Sequence, residues 1–333
     1  MTIANIAGYR VTLDGVDLTP KLRPRLVSLG ITTKRGDEAD QLDIVLDDTD
    51  GGLELPKAGA ILHVELGWLQ GSGVRVGLTD KGSFKVDEVE HGGPPDLVTI
   101  RARSADFTGD LQKRREQSWH DTTLGAIVGE VAGRNGLKAR CADDIAGIDL
   151  DTVVQSRESD MALIRRLGRE HDAVATVKRG TLILAPVGSA TAAGGAPLPG
   201  FALDRSAGDR HSFRIEKREE AEGVTASWHD RAGAERKKVT VGKTDGARQL
   251  SHVYSSESHA TRAAKSKLAH AKRQPVSLTL ALALGRADLY PEQKGSVSGF
   301  KAEIDAVDWL IAEVTHSLGE GGFTTALKLE SAP

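Results

Sequence analysis

The sequence predicts an α+β protein that is mainly β, with a small barrel or sandwich on either side of an α/β module. Two patterns lead to this prediction. Apolar and polar residues alternate between Gly, Asp and Pro turns in the first third of the chain and again in the last third. The middle third changes to helical spacing. The length of 333 residues fits two or three domains.

The first predicted domain, residues 1–105, consists of short strands. In YRVTLDGVDLT, the dipeptide Asp14-Gly15 predicts a tight hairpin turn. In DQLDIVLDDTDGG, alternate apolar side chains share one face, namely Leu42, Ile44 and Leu46. Short strands repeated between turn residues predict a small barrel or a sandwich.

Residues 106–187 are predicted to form the α/β module, and its first helix lies in HDTTLGAIVGEVAGRNGL. An apolar stripe at helical spacing defines this helix: Leu124, Ile127, Val128, Val131 and Ala132. We expect Asp121 or Thr122 to cap its start and Asn135-Gly136 to end it.

A second helix and a hairpin complete this module. The helix begins near Ser159, and its apolar side is formed by Met161, Ile164 and Leu167. In AVATVKRGTLILAP, the dipeptide Arg179-Gly180 predicts the turn of the hairpin.

Residues 188–205 are predicted to form an exposed loop or linker, because Gly, Ala and Pro in GSATAAGGAPLPG cannot build a core. Strand patterns return in residues 206–333, the second predicted β-domain. One helix interrupts them, from Ser256 to about Arg273, and we expect Pro275 to end it. There is no strict repeat, although the two outer regions resemble two versions of one architecture.

The closing segment contains Asp308 and His316, which raises the question of a catalytic pair. Alternation in WLIAEVTHSL and FTTALKLE, with a reversal at GEGG, predicts a hairpin instead. Eight residues at about 3.3 Å each place Asp308 and His316 some 26 Å apart along a strand. No Asp–His relay is therefore predicted, and His316 is interpreted as a partly buried sheet residue.

The charge balance argues against a dedicated nucleic-acid binder. The net charge is −3, from 44 basic and 47 acidic residues mixed along the chain. The helix SESHATRAAKSKLAHAKRQ is locally basic, through Arg262, Lys265, Lys267, Lys272 and Arg273. A nucleic-acid or acidic-protein contact there is the alternative to a solvated face with cations near the carboxyl end of the helix, which we favour.

The cysteine content fits folding in a reducing cytoplasm. Cys141 is the single cysteine, so no intrachain disulfide forms, and we interpret it as a small buried hydrophobe. The first residues lack the pattern of a signal peptide. No apolar run is long enough to span a membrane.

No catalytic, cofactor-binding or metal-binding residue is predicted. The adjacent pairs His120-Asp121, His171-Asp172 and His229-Asp230 point to opposite faces of an extended chain. His120 and His171 are interpreted as capping or surface residues at helix ends. GSVSG (295–299) has Val297 where a nucleophile elbow needs Ser, so we interpret it as a turn. DDTDGG (47–52) lacks the spacing of a calcium loop and is interpreted as a solvated turn.

Three segments together resemble a known family. SWHDTTLGAIVGEVAGRNGL, QSRESDMALIRRLGREHDAVATVKRGTLILAP and the ending GSVSGFKAEIDAVDWLIAEVTHSLGEGGFTTALKLE follow in the order and spacing of phage late control D proteins. These are the tail hubs of contractile phages and related injection systems, more distantly similar to the hub part of type VI spike proteins. The resemblance covers nearly the whole chain.

The resemblance implies an assembly role without an enzyme activity or a cofactor. It implies two tube-type β-barrels per chain, at 1–105 and 206–333, and a homotrimer whose six barrels match a six-fold tail tube and a three-fold spike. Expected partners are the tail tube and spike proteins, with the tape-measure and other baseplate proteins as further candidates. The expected location is the baseplate centre of a particle made in the bacterial cytoplasm. Because the chain ends just past the last hairpin, we expect the spike to be a separate protein.

Two alternatives to the hub are retained. A tail-associated peptidoglycan hydrolase or glycan-binding protein needs two carboxylates at a fixed separation in a cleft. A nucleic-acid binder would use the basic helix at 262–273 and would bind with a steep salt dependence.

Overall fold

The computed structural model describes residues 4–36, 39–105, 109–192, 195–215, 222–230, 233–273 and 276–332. The chain divides into two units, and each is built from separate stretches of sequence. The first unit consists of Met1–Asp106, Gly200–Phe213 and Leu278–Leu329. The second unit consists of Phe107–Pro199, Arg214–Ser277 and Glu330–Pro333.

The N-terminal stretch is made of short strands, as predicted. Its elements are β1 (Ile6–Leu13), β2 (Val16–Asp17), α1 (Thr19–Leu22), β3 (Leu26–Lys34), β4 (Gln41–Asp47), β5 (Ile61–Gln70), β6 (Gly77–Gly92) and β7 (Leu97–Ser104). The predicted hairpin turn is confirmed, because Asp14 and Gly15 join β1 to β2 with φ angles of 50° and 84°. The apolar face predicted for β4 is buried.

The middle stretch contains the predicted helices and hairpin. Its elements are β8 (Arg114–Thr123), α2 (Leu124–Arg134), β9 (Lys138–Cys141), α3 (Asp143–Ala146), β10 (Asp149–Ser159), α4 (Asp160–Glu170), β11 (Ala173–Lys178) and β12 (Thr181–Pro186). The turn between β11 and β12 is at Arg179 and Gly180, as predicted, with φ angles of 50° and 67°.

The predicted cap of the first helix is wrong by one residue. Thr123, and neither Asp121 nor Thr122, caps α2, and its hydroxyl accepts the N–H of Ala126 at 3.2 Å. Because β8 pairs with β10 as far as Thr123, the helix cannot begin earlier. Gly136, with a φ of 69°, follows the C-cap residue Asn135, as predicted. Ser159 caps α4 in the same manner as Thr123 caps α2.

The last stretch contains more sheet than predicted. Its elements are β13 (Phe201–Asp204), β14 (Gly208–Ile215), β15 (Gly223–Asp230), β16 (Glu235–Gly242), β17 (Arg248–Tyr254), α5 (Glu257–Arg273), β18 (Val276–Leu282), β19 (Lys294–Ser298), α6 (Ala302–Asp305), β20 (Trp309–Gly319) and β21 (Gly322–Ser331). Pro275, predicted to end α5, lies outside the described residues.

Two loop predictions are corrected by the pairing of β13 with β19. Phe201–Asp204 lies inside the predicted loop 188–205, and GSVSG was predicted to be a turn. The two segments pair in parallel, because Phe201, Leu203 and Val297 are apolar at alternate positions and bury their side chains.

One sheet of 13 strands organises the first unit. Its main path runs β14-β18-β21-β20-β3-β4-β7-β6-β5-β1-β2, and β13 joins it through β19 and β20. The strands therefore come from both ends of the chain. Within the described strands this path does not close into a barrel, so the two tube-type barrels remain a prediction.

A shared apolar core holds the two ends of the chain together in this unit. Side chains of β3 to β7 pack with Leu318 of β20 and Phe323 of β21. The Trp68 and Phe323 rings lie 5.5 Å apart, and the Trp68 indole N–H donates to the carbonyl of Gly285 at 2.8 Å. Burial of these aromatic surfaces stabilises the contact between the two sequence regions.

The second unit contains three small sheets, β10-β8, β11-β12-β9 and β16-β15-β17. Apolar side chains of α2 and α4 pack on the strands of the first two sheets. Ala260, Ala264 and Leu268 of α5 pack on Val224 and Ala226 of β15. Because α5 buries its apolar side on β15, residues 214–277 fold with the second unit, and the predicted continuous domain 206–333 is divided between the units.

Candidate functional site

The pairing of β3 with β20 joins the two sequence regions of the first unit. The two strands are antiparallel, from Lys34 opposite Glu313 to Ser28 opposite Gly319. The Thr32 and Thr315 hydroxyls lie 3.2 Å apart across the strands. The predicted closing hairpin is confirmed, and β20 also supplies the strand that makes one sheet of both regions.

One end of this sheet is the exposed strand β14. Within the described part of the chain its sheet neighbour is β18, so β14 is an edge strand of this sheet. Most of its side chains are exposed, including Arg210 and Ser212. An edge strand of this kind can accept a strand from another chain.

His316, from the candidate pair of the closing segment, is buried in the sheet and contacts other groups than Asp308. Its Nε2 lies 2.9 Å from the Lys81 ammonium, and its Nδ1 lies 3.0 Å from the Thr325 hydroxyl. Burial, and then the charge of Lys81, holds the pKa of His316 well below its ordinary value. The imidazole is therefore neutral, accepting from Lys81 and donating to Thr325.

This network ties three segments of the first unit together. Lys81 on β6 also donates to the carbonyl of Ala287 at 2.5 Å and lies 4.0 Å from the centre of the Tyr290 ring. Thr325 on β21 accepts the backbone N–H of Arg286 at 3.0 Å. His316 is thus a structural residue at the centre of a buried polar network.

Two further residues considered in the sequence, Cys141 and His120, also have surroundings that indicate no chemical role. Burial, with Asp144 and Asp143 nearby, raises the pKa of the half-buried Cys141 to about 11, so its thiol is protonated at neutral pH. His120 is exposed on β8, and its Nδ1 lies 3.4 Å from the Thr152 hydroxyl. The interpretation of His120 as a surface residue is confirmed; it does not cap a helix, because β8 continues to Thr123 before α2 begins.

The carboxylates of Asp47 and Asp50 in the DDTDGG turn accept hydrogen bonds from other groups of the protein. The Asp50 carboxylate accepts two hydrogen bonds of 2.5 Å from Arg25, which, with the Gly52 N–H, lower its pKa to about 2. Asp47 accepts the N–H of Thr49 at 2.8 Å. Across the described ranges, no cluster of His, Cys, Asp and Glu has the geometry to hold a metal ion.

A buried carboxylate, Asp160, links the two main helices of the second unit. Its side chain is fully buried at the start of α4. The Arg134 guanidinium donates to both of its oxygens, and the amides of Asn135 and Gln155 donate at 2.8 and 2.9 Å. Although burial raises the pKa of Asp160, these hydrogen bonds hold it below its ordinary value. Both oxygens of Asp160 are thus used by groups of the protein itself, which indicates a structural role.

The second unit also contains a cavity of about 510 Å³. Its lining comes from β10, α4 and the β15–β17–α5 region, and includes the imidazoles of His171, His229, His252 and His259. The sequence analysis missed this site, because residues 150–171 and 229–263 are separated in sequence and carry no joint motif. His171, predicted to be a capping or surface residue, ends α4 and lines the cavity.

The cavity disfavours positive charge on its imidazoles. Burial, and then Arg262 and His259, lowers the pKa of His171 to about 4. Burial, and then Arg262, lowers the pKa of His259. Both rings are therefore neutral at neutral pH.

The basic helix α5 carries exposed and partly buried cations. Lys265 and Lys267 are exposed, whereas Arg262 is partly buried and donates to the carbonyl of Asp149 at 2.9 Å. The side chains of Lys272 and Arg273 lie outside the described residues.

In the part of the chain that is described, no helix is long and apolar enough to cross a membrane.

Comparison with known proteins first defines the class. The fold is similar to that of a tail protein from Neisseria meningitidis MC58, with a TM-score of 0.70 at 13% identity over 98% of this chain and 97% of that one. The chain therefore shares the fold of that tail protein.

Closer relatives then define the family. The sequence is 44% identical to the "Probable baseplate hub protein" of Escherichia phage 186, over 97% of this chain and 92% of that protein. It is 42% identical, with the same coverage, to the protein of that name from Escherichia phage P2. Residues 68–322 match the family described as phage tail baseplate hub (GPD). The chain belongs to this family, so the expected function as a structural hub of a phage tail baseplate is confirmed.

Proposed function

We propose that the protein is a non-enzymatic, trimeric hub that adapts a six-fold tail tube to a three-fold spike. The observation that carries the proposal is the β3–β20 pairing, which joins an N-terminal and a C-terminal set of strands side by side in one sheet. If each set is one tube-type domain, three copies supply six such domains. The same protein then presents both symmetries.

The edges of the sheet supply the contact between copies. The main path ends at β14 on one side and at β1 and β2 on the other. Contact between the two different ends is heterologous, and it closes into a ring when the rotation between copies matches the symmetry. Ring closure satisfies the edge backbone groups that would otherwise promote aggregation.

The proposed partners follow from the family resemblance. One face of the ring contacts the tail tube protein and the other contacts the spike, while the tape-measure protein passes at or near the lumen. The chain is made in the cytoplasm of the bacterial host and becomes part of the baseplate centre. The catalytic role is set aside because the relatives are named as baseplate hub proteins.

The test uses two neighbouring proline variants of β14, Arg210→Pro and His211→Pro. Their N–H groups point to opposite edges of the strand, so one variant removes an outward N–H and the other removes a bond toward β18. One of the two variants removes an N–H that points away from β18. We expect that variant to keep its unfolding midpoint and to lose the trimer in light scattering, with and without the tube and spike proteins. The inward variant serves as the control and loses stability.

Two results would contradict the proposal. One is a wild-type chain that stays monomeric even with tube and spike proteins present. The other is a clear band in a zymogram with purified peptidoglycan, which would restore the hydrolase alternative.

A further inference from the structure

We propose that the cavity of the second unit is a docking site for a protein segment that presents a carboxylate beside an apolar side chain. This inference is independent of the proposed hub function, since it rests on residues of the second unit alone. It follows from the charge balance of the cavity, from an unpaired donor and from an apolar rim.

The lining contains two cations, Arg166 and Arg262, and Arg262 makes no ion pair at contact distance with a described carboxylate. Glu170 is the carboxylate of the lining, and it lies 3.3 Å from Arg166, which also pairs with Glu158 at 2.6 Å. Arg262 donates to a carbonyl oxygen, that of Asp149. No carboxylate of the described residues lies within 4 Å of the Arg262 guanidinium. The charges of Asp151 and Asp149 act on Arg262 from a longer distance, so direct contact with the guanidinium is left for an incoming carboxylate.

Arg262 also has a donor without an acceptor. Its Nε–H is buried and makes no hydrogen bond, which is costly for a charged group. The neighbouring imidazoles, His171 and His259, are held neutral partly by the Arg262 charge. A bound carboxylate would compensate that charge, and the imidazole N–H groups could donate to it.

The rim of the cavity is apolar, which favours a peptide over a free anion. Val154 on β10 and Val253 on β17 are 50% and 37% exposed. The Tyr254 and His252 rings stack edge to face at 4.8 Å beside them. Exposed valines next to an aromatic pair suit an apolar side chain of the bound segment.

The size of the cavity points to the same occupant. A volume of about 510 Å³ lies in the range of sites that hold a ligand of several side chains. A single small anion would leave most of it empty. A nucleic-acid phosphate would find one unpaired arginine and an apolar rim, instead of the row of cations that a backbone needs.

The experiment measures binding of the full-length protein to an array of acetylated hexapeptides. Each peptide has one central Glu between varied apolar residues, and a matched array has Gln at that position. We expect a subset of the Glu peptides to bind and their Gln partners to bind at least about tenfold more weakly, as for a lost charge-assisted hydrogen bond.

Variants locate the binding site. Arg262→Gln should weaken the selected peptides by about tenfold or more, because the carboxylate loses its partner. Lys265→Gln, which removes an exposed cation on the same helix outside the cavity, should leave affinity unchanged. Val154→Asp places a negative charge on the rim and should also abolish binding. Circular dichroism and the unfolding midpoint verify that each variant is folded.

Several results would overturn the inference. The first is that no Glu peptide binds up to about 1 mM. The second is an equal loss of peptide affinity in Arg262→Gln and Lys265→Gln, and the third is equal binding of the Glu and Gln arrays. Acetate or inorganic phosphate competing at the affinity of the peptides would indicate a small-anion site. Competition by a DNA duplex at low salt would indicate a phosphate-backbone site.

Discussion

Replacement of Asp160 by Asn removes the charge at the centre of the second unit while keeping the shape of the side chain. In the native protein both oxygens of Asp160 accept hydrogen bonds, from Arg134, Asn135 and Gln155. The Arg115 Nε lies a further 3.3 Å from Oδ2. An asparagine has to turn its NH₂ toward one of these sets of donors. At least one pair of donors would then face each other.

The magnitude follows from burial. The Asp160 side chain has no exposed surface, and Arg134 is only 19% exposed, so the guanidinium would keep its charge in a poorly solvated position. Removal of one partner of a buried ion pair costs about 3–5 kcal/mol. With a urea m-value of about 2 kcal/mol per molar, the unfolding midpoint of the second unit should fall by about 1.5–2.5 M.

The assay is urea unfolding followed by hydrogen exchange in peptides from α2 and α4, which reports on the second unit itself. Glu116→Gln is the matched control in the same unit. Its ion pair with Arg157 is exposed, with side-chain exposures of 71% and 85%, and should contribute less than about 1 kcal/mol. If Asp160→Asn and Glu116→Gln shift the midpoint equally, the reasoning from buried charge is wrong.

Three further predictions concern single residues. Because the pKa of His171 is about 4 in the folded protein and about 6.5 when unfolded, the unfolded state binds more protons between these values, and stability falls as pH drops through this window. In His171→Asn, the loss of folding stability between pH 7 and pH 5 should be smaller by about 1 kcal/mol, allowing for the partial exposure of the ring. Urea midpoints at the two pH values measure this loss, and an equal loss in the variant and the wild type would contradict the prediction. Cys141, with a pKa of about 11, should react with iodoacetamide at pH 8 much more slowly than free cysteine, and comparable rates in a mass-spectrometric time course would show a thiolate. In Gly295→Ala the new Cβ would lie 2.1 Å from the carbonyl oxygen of Phe201, so the β13–β19 pairing should weaken by about 1–3 kcal/mol, and a midpoint equal to that of the wild type would refute the close approach.

The sequence by itself determined the local elements. Alternation, turn dipeptides and helical spacing located the β4 strand, the β11–β12 turn and the closing hairpin, because each depends on neighbours in the chain. Distance along one strand was enough to separate Asp308 from His316. The family resemblance, from three segments in order, gave the hub function.

Only the tertiary structure decided which elements lie together. The β3–β20 pairing joins residues nearly the whole chain apart, and β13 was missed because a strand of four residues carries almost no period. The cavity and its imidazoles depend on α5 packing between β15 and the α4 region. Local periodicity specifies which face of an element is apolar, but the partner of that face is chosen by long-range burial, which no short stretch of sequence encodes.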